Sequence, residues 1–402
     1  ANLHEGPAWQ FSSRRELEPL LGGAPPEEGR DADSVIRQVI ETVLPMAGRI
    51  DHPRFFAFIP SSPTWPSVLG DLLATGFNIF QGTWLESAGP SQLELVVMEW
   101  FRDWLGLPEK GGGLLTSGGS AANLGALVAA REWASNPADP VIYKSDQGHS
   151  SLERAARIVG IPAEQIRRIP TDEHFRMDVG LLGRAVKDDR ARGLYPLCVC
   201  ANAGATNTGA IDPLASIARV AKDEGLWFHV DGAYGGFALL APKEKESFKG
   251  IEQADSVTLD PHKWLFQPYE TGCLMVRDTK ILEDAFRILP EYLQDTALGE
   301  EHVNFADRGI QLTRGFRALK VWMSIQTLGM GAFREAIQKG IDLAGEAERF
   351  IDLSRDLEML GPSALGIVCF RFNNPDVGMS PETLEELNTL IQEEIVDSGL
   401  AM

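Results

Sequence analysis

The sequence predicts an α/β protein with a mostly parallel central sheet covered by helices, an N-terminal arm and a small C-terminal α/β domain. Three observations lead there. From about Ser91 short apolar segments alternate with helical ones. Those segments are hydrophobic throughout rather than at every second residue, the pattern of strands covered on both faces. Most are bounded by Gly, Asp or Pro, residues that punctuate secondary structure. A chain of 402 residues also exceeds what one simple core organises, so more than one domain is expected.

The elements follow in order. Residues 1–85 are irregular and rich in proline, with DADSVIRQVIETVLPMAGRI as one amphipathic helix. Such an arm is expected to pack on another part of the protein or on a second subunit. A helix over 91–105 precedes the strand GGLLTS and a helix over 120–134; PVIYKS and a helix over 150–159 come next. LYPLCVCANAG, a helix over 213–224, LWFHVDGA, ADSVTLD and TGCLMVRD complete the run. Residues 279–320 are less regular and include the acidic turn LGEEHVNFADRG. A long helix over about 332–353, the strand LGIVCFRF and a helix over 381–397 form the small domain. The expected divisions are therefore 1–85, 86–320 and 321–402, with no internal repeat or low-complexity tract.

Composition narrows the function. A net charge of −20 argues against nucleic acid or an anionic membrane as partner, since both need a positive surface. No apolar run approaches the ~18 residues that a membrane span requires. The opening ANLHEGPAWQF has neither a basic nor an apolar signal region, so no signal peptide is expected. The four cysteines (Cys198, Cys200, Cys273 and Cys369) include no CxxC pair and read as reduced thiols of a cytoplasmic protein, with no metal site.

Chemistry gathers at the carboxyl ends of four strands, where open α/β sheets bind their ligands. LLTSGGSAANL passes through a small-residue turn into a helix, and bare backbone N–H groups there form an anion site, with Ser120 adding a hydroxyl. Neither a dinucleotide fingerprint nor a P-loop is present: no GxGxxG follows the strand, and GATNTGAI carries Ala210 where the lysine belongs. WFHVDGAYGG brings Asp231 to the end of an apolar strand, YKSDQGHSS leaves His149 just before a helix, and DPHKWLF sets His262 and Lys263 among apolar neighbours. Each has an ordinary reading as a turn, a cap or a snorkelling lysine. Together they fit one small molecule, pyridoxal phosphate. Its aldehyde bonds the Lys263 amine, the turn takes its phosphate, Asp231 faces its pyridine nitrogen, and an imidazole lies on its ring. An iron site from HVD and His262 is the competing reading, but it leaves Lys263 unexplained.

The chain resembles the group II pyridoxal-phosphate decarboxylases, the family of the aromatic-L-amino-acid, histidine and glutamate decarboxylases, which have the aspartate-aminotransferase type of fold (fold type I). HPRFFAFIPSSPTWPSVLGDLL, SQLELVVMEWFRDWLGLP, SDQGHSSLERAA, VDGAYGG, DPHKWL, RGFRALKVW and LGIVCFRF carry the resemblance from about His52 to Arg371. The aromatic branch looks nearest. The resemblance implies that Lys263 is the Schiff-base lysine and Asp231 the partner of the pyridine nitrogen. It implies that His149 stacks on the ring, that Ala233 packs its other face, and that Gly119 and Ser120 hold phosphate with help from His262. Thr206 would lie near the phenolic oxygen. Phe58, Pro60 and Phe80 would line the substrate pocket at the interface of a homodimer. The implied reaction is decarboxylation of an L-amino acid, aromatic in the nearest branch, to the amine; fold alone also allows a transaminase, but PHKWLF and DQGHSS favour the decarboxylase.

Several positions depart from the family pattern. Aromatic-type members carry a loop tyrosine before the RxFRALK segment, and alignment of GIQLTRGFRALK puts Phe305 there. A phenyl ring has no proton to give, so an aldehyde synthase is the alternative enzyme, and an inactive binding protein of the same fold is the non-enzyme alternative. Gly82 replaces an aromatic pocket residue and either admits a bulky side chain such as indole or serves a turn. Asp260 stands for an asparagine of animal relatives, and is expected to point away from phosphate. Arg371 either meets a substrate carboxylate or forms a structural ion pair. The C-terminal domain is expected to be incomplete at IVDSGLAM.

Overall fold

Seven strands form the central sheet of the computed structural model, which describes residues 5–59, 61–288, 299 and 302–402. They are β1 (Gly112–Thr116), β2 (Pro140–Ser145), β3 (Ile166–Ile169), β4 (Tyr195–Asn202), β5 (Trp227–Gly232), β6 (Ser256–Leu259) and β7 (Gly272–Val276). Their spatial order is β1-β7-β6-β5-β4-β2-β3. The pairings β2–β3, β2–β4, β4–β5 and β5–β6 are parallel, and β7 runs antiparallel to both of its neighbours. The sheet is mostly parallel, as the uninterrupted apolar segments predict.

Burial explains why those segments were legible. Every residue of β1, β2, β5, β6 and β7 is buried. The unforeseen strand β3 reads IRRI and lies at the sheet edge, half-exposed. Its arginines remove the apolar signal and also discourage pairing with another chain. The helix Val179–Ala191 was likewise unforeseen; Asp178 starts it by accepting from Leu181 N at 2.8 Å.

The helix Gly119–Trp133 packs on the sheet through Ala122, Ala126, Leu127, Ala129 and Ala130, all fully buried. Small side chains let its backbone approach the strands closely, so residues on its first turn reach the ends of β5 and β6.

Two compact units result, Ala1–Ser62 with Phe372–Met402, and Pro63–Arg371. Within the first, the expected amphipathic helix is regular only over Ala32–Gln38, then widens over Val39–Val43 and tightens over Leu44–Met46. Pro45 has no N–H to give the carbonyl four residues back, so the α-helical ladder does not resume there. The indole Nε1 of Trp9 donates to Val396 O at 3.0 Å, joining the amino-terminal segment to the helix Pro381–Asp397.

Within the second unit, residues 85 and 320 lie inside the helices Trp84–Leu105 and Ala318–Asp352. The helices break beyond those positions, at Ser87 and at Gly329. The stretch LGIVCFRF is extended only at its end, as β9 (Phe370–Phe372), paired with β8 (Leu357–Met359). Arg371 Nε lies 2.6 Å from Glu358 Oε2, so its guanidinium is held in an ion pair between these strands.

Candidate active site

The ends of β1, β4, β5 and β6 surround one cavity of about 320 Å³. Gly119, Ser120, His149, Thr206, Asp231, Ala233, His262 and Lys263 all line it, together with Asn123, Ser151, Asn202 and Asp260. Sequence positions spread over more than a hundred residues thus converge because parallel strands present their carboxyl ends on one edge of the sheet.

Lys263 rides on a short helix, Pro261–Trp264, that directly follows β6. The side chain of Trp264 is fixed edge-on against Tyr234, with ring centroids 5.4 Å apart, and Leu265 is fully buried. These anchors leave the lysine stem little choice of direction. Its side chain keeps 22% of its exposure, and its Nζ lies 3.0 Å from Asp260 Oδ2. The same oxygen is 3.5 Å from His262 Nε2. Burial pushes the Asp260 carboxyl above the usual carboxylate range, against the pull of Lys263 and His262. Burial also lowers His262, whose Nδ1 accepts the Thr271 N–H at 3.3 Å.

Asp231 ends β5 and is 7% exposed. Its Oδ1 accepts from Ala233 N at 3.1 Å and its Oδ2 from Asn123 Nδ2 at 2.9 Å. His149 caps the helix Ser150–Ile158, its Nδ1 accepting the Ser151 N–H at 3.2 Å. The capping role and a place on the cavity wall are therefore both present.

The turn at Gly118 and Gly119 is shaped by close backbone approach. A side chain on Gly119 would put its Cβ 2.9 Å from Ala233 Cβ. Behind the turn, a Cβ on Gly272 at the start of β7 would come within 2.4 Å of Gly118 Cα. Bare backbone at the N-terminus of a fifteen-residue helix is what an anionic group binds. Two buried polar atoms in the wall, Asn202 Nδ2 and Asp260 Oδ1, have no hydrogen-bond partner among the described residues. An amine-bearing lysine, a carboxylate, a helix N-terminus and unsatisfied polar atoms around one cavity fit pyridoxal phosphate.

Of the residues expected at the substrate pocket, Phe58, Phe80, Gly82 and Phe305 do not line this cavity within the single chain. Phe305 is fully buried in the core cluster with Leu114, Ala126 and Leu127. The guanidinium of Arg314 stands 5.0 Å from its ring centroid and is held by Glu94 Oε1 at 2.6 Å and Leu115 O at 2.8 Å. Phe305 is not among the residues lining the cavity. Phe80 pairs by backbone with Gly315, and its ring fills the space beside Gly82. A Cβ on Gly82 would meet that ring at 2.2 Å and Leu312 O at 2.9 Å, so this glycine makes room for Phe80 rather than for indole. Phe58 is exposed, and Pro60 lies outside the described residues.

Sequence reasoning missed Asn123, Ser151, His229, Ser256 and Thr258, a buried polar group behind Asp231. A signal existed: Trp227, His229 and Asp231 alternate along β5 and share one face, opposite apolar Phe228 and Val230.

Residues 15–373 match the model of the pyridoxal-dependent decarboxylase conserved domain. An aromatic-L-amino-acid decarboxylase of Bacillus atrophaeus is 44% identical over 380 residues, covering 94% of this chain and 79% of that protein. The crystal structure of Oryza sativa TDC with PLP and tryptamine superposes with a TM-score of 0.93 at 30% identity, over 98% of this chain and 85% of the other. That of Rhodiola rosea 4-hydroxyphenylacetaldehyde synthase gives 0.91 at 30% identity, over 99% and 85%.

Proposed function

The chain belongs to the pyridoxal-dependent decarboxylase family, and from that premise we propose its reaction: removal of carbon dioxide from an aromatic L-amino acid to give the amine. The cofactor is pyridoxal 5'-phosphate. One observation carries the reading. Lys263, Asp231, His149 and the helix N-terminus at Gly119 line a single cavity.

When bound, the cofactor supplies an aldehyde for the amines of Lys263 and substrate, and a ring that draws off the electron pair left by departing carbon dioxide. The chain's own residues do the rest. Lys263 would carry the group covalently and take it back at the end of each turnover. Gly119 and Ser120, with His262, would hold its phosphate, and Thr206 would meet its phenolic oxygen. Ala233 and His149 would pack its two faces. Asp231 would keep a proton on the ring nitrogen, a task for which its Oδ2 is already oriented by Asn123. His149, on the cavity wall, would move a proton to the product.

Phe58, Pro60 and Phe80 belong to the proposed substrate pocket through the family resemblance. The aldehyde-synthase alternative rested on Phe305 in the place of a loop tyrosine. Phe305 is packed in the core beside Arg314, and a phenyl ring at that place leaves no loop hydroxyl, so the aldehyde synthase stays the second reading.

We also propose a homodimer, with residues 1–85 as an arm on the partner, 86–320 as the cofactor domain and 321–402 as the small domain. Exposed Ile36, Ile40 and Leu44 on one segment, and Trp65, Leu72 and Phe77 on another, support an apolar contact of this kind. A cytoplasmic location is supported by cysteines that remain thiols. Among the described residues no helix is long and apolar enough to cross a membrane.

Product analysis with L-tryptophan, L-tyrosine, L-phenylalanine, L-dihydroxyphenylalanine, L-histidine and L-glutamate tests the reaction. Amine with carbon dioxide from an aromatic member is expected. Aldehyde with hydrogen peroxide, or no product from any, overturns it.

A further inference from the structure

Asn123 is 1% exposed, the fifth residue of the helix Gly119–Trp133, and all four of its hydrogen-bonding positions are engaged. Its Nδ2 lies 2.9 Å from Asp231 Oδ2 and 2.9 Å from Ser151 Oγ. Its Oδ1 lies 2.7 Å from Thr258 Oγ1 and 3.0 Å from His229 Nε2. Beyond His229, Ser256 Oγ is 2.8 Å from Nδ1 and 2.8 Å from Trp227 Nε1.

The donors in this chain have one consistent direction. An indole N–H only donates, so Ser256 accepts from Trp227 and gives its own hydrogen to His229 Nδ1. His229 then carries its hydrogen on Nε2 and donates to Asn123 Oδ1. Burial lowers the His229 pKa to about 4, in keeping with a neutral ring that donates once and accepts once. The amide orientation is thereby fixed, and both Nδ2 hydrogens point to Asp231 and Ser151. Ser151 Oγ accepts from Asn123 and turns its hydrogen to His149 Nδ1, 2.8 Å away. That nitrogen also accepts the Ser151 N–H, so it is bare, and Nε2 bears the hydrogen.

We propose that Asn123 is a positioning residue that ties the Asp231 carboxylate to the His149 imidazole through Ser151, and so presents His149 to substrate and cofactor as the Nε2–H tautomer. This deepens the decarboxylase reading and rests on it. An aspartate facing a ring nitrogen and an imidazole on the ring face are tasks that fail with small misplacements. One amide holds both at once.

Holoenzyme of the wild type, Ser151→Ala and Asn123→Leu decides the matter. Three readouts apply: ¹⁵N shifts of the His149 ring, the pH titration of the bound cofactor's visible absorbance, and kcat against KM. Ser151→Ala should move the His149 shifts toward a tautomer mixture and leave the absorbance titration in place. Asn123→Leu should change both, and lower kcat about tenfold with KM within about twofold. Wild-type shifts and titration in both variants would overturn the proposal. Should Asn123→Leu fail to fold, unchanged His149 shifts in Ser151→Ala overturn it alone. A wild type that forms no visible chromophore with pyridoxal phosphate would sink the decarboxylase reading instead, while the shifts, read without cofactor, still decide the tautomer.

Discussion

Asp260 Oδ2 holds Lys263 Nζ at 3.0 Å, across the first turn of the short helix that follows β6. The lysine among apolar neighbours therefore has a counter-charge of its own, and the carboxylate turns toward the amine. Covalent attachment of the cofactor needs that amine uncharged, and it brings a phosphate anion into the same cavity. Asp260 opposes both. Asp260→Asn should raise the rate of cofactor uptake by the cofactor-free protein roughly two- to tenfold at neutral pH. Stopped-flow absorbance measures it; an unchanged or slower rate would mean the pair has no such effect.

Asp231→Ala keeps the lysine and the helix N-terminus, so cofactor should still bind. Turnover should fall by roughly a hundredfold or more, the scale seen when a pre-organised charge is removed from a developing one. Borohydride fixation and kcat read the two effects separately. Near wild-type kcat in a variant that retains cofactor would remove Asp231 from the mechanism.

The sheet and most of the cavity could be read from sequence because each signal is local. Buried strands are continuously apolar, and Asp231 and Lys263 stand out as charges at their ends. What escaped depends on register between distant segments. β5 pairs His229 with Ser256 and Asp231 with Thr258, and only that pairing, beneath Asn123, turns scattered polar residues into one network. At Gly82 and Phe305, too, packing between distant segments adds what spacing cannot show. The space beside Gly82, read as substrate room or as a turn, holds the Phe80 ring, and Phe305, aligned with a loop tyrosine, is buried in the core cluster.

Gly272→Ala tests how the anion-binding turn is backed. The new Cβ would meet Gly118 Cα, C and N at 2.4, 2.5 and 2.7 Å, and backbone atoms cannot swing aside as a side chain does. Overpacking of this kind costs about 1–3 kcal/mol. Both thermal stability and cofactor affinity should drop, because the displaced backbone is the cradle itself. Wild-type cofactor affinity in a destabilised variant would separate the turn from cofactor binding.

His229 gives stability a pH dependence of known sign. Its folded pKa, about 4, lies below the ordinary histidine value of ~6.5. Between those limits the unfolded chain binds more protons, so stability falls as pH falls. His229→Gln cannot take up that proton. Its urea-unfolding free energy should lose about 2 kcal/mol less than the wild type's between pH 7.5 and pH 5. Burial raises Asp212 to about 6, which acts in the opposite sense between about pH 4 and pH 6, but equally in both proteins. Parallel pH profiles would show that the buried imidazole is not the group responsible.

Tyr292 is the tyrosine between Glu270 and the RGFRALK segment, and it lies outside the described residues. Alignment puts Phe305 at the family's loop hydroxyl; Tyr292 is a second candidate, if its hydroxyl is the one that protonates the product carbon. Tyr292→Phe should then divert turnover from amine to aldehyde with hydrogen peroxide, since the carbanion left without a proton donor reacts with oxygen. Phe305→Tyr should leave the product unchanged and lower stability, because a new hydroxyl would enter a fully buried site beside Leu114 and Leu127 with its partners already taken. Amine as the product of Tyr292→Phe would place the proton with His149 or with water. Aldehyde from the wild type, turned to amine by Phe305→Tyr, would reverse the assignment of the two residues.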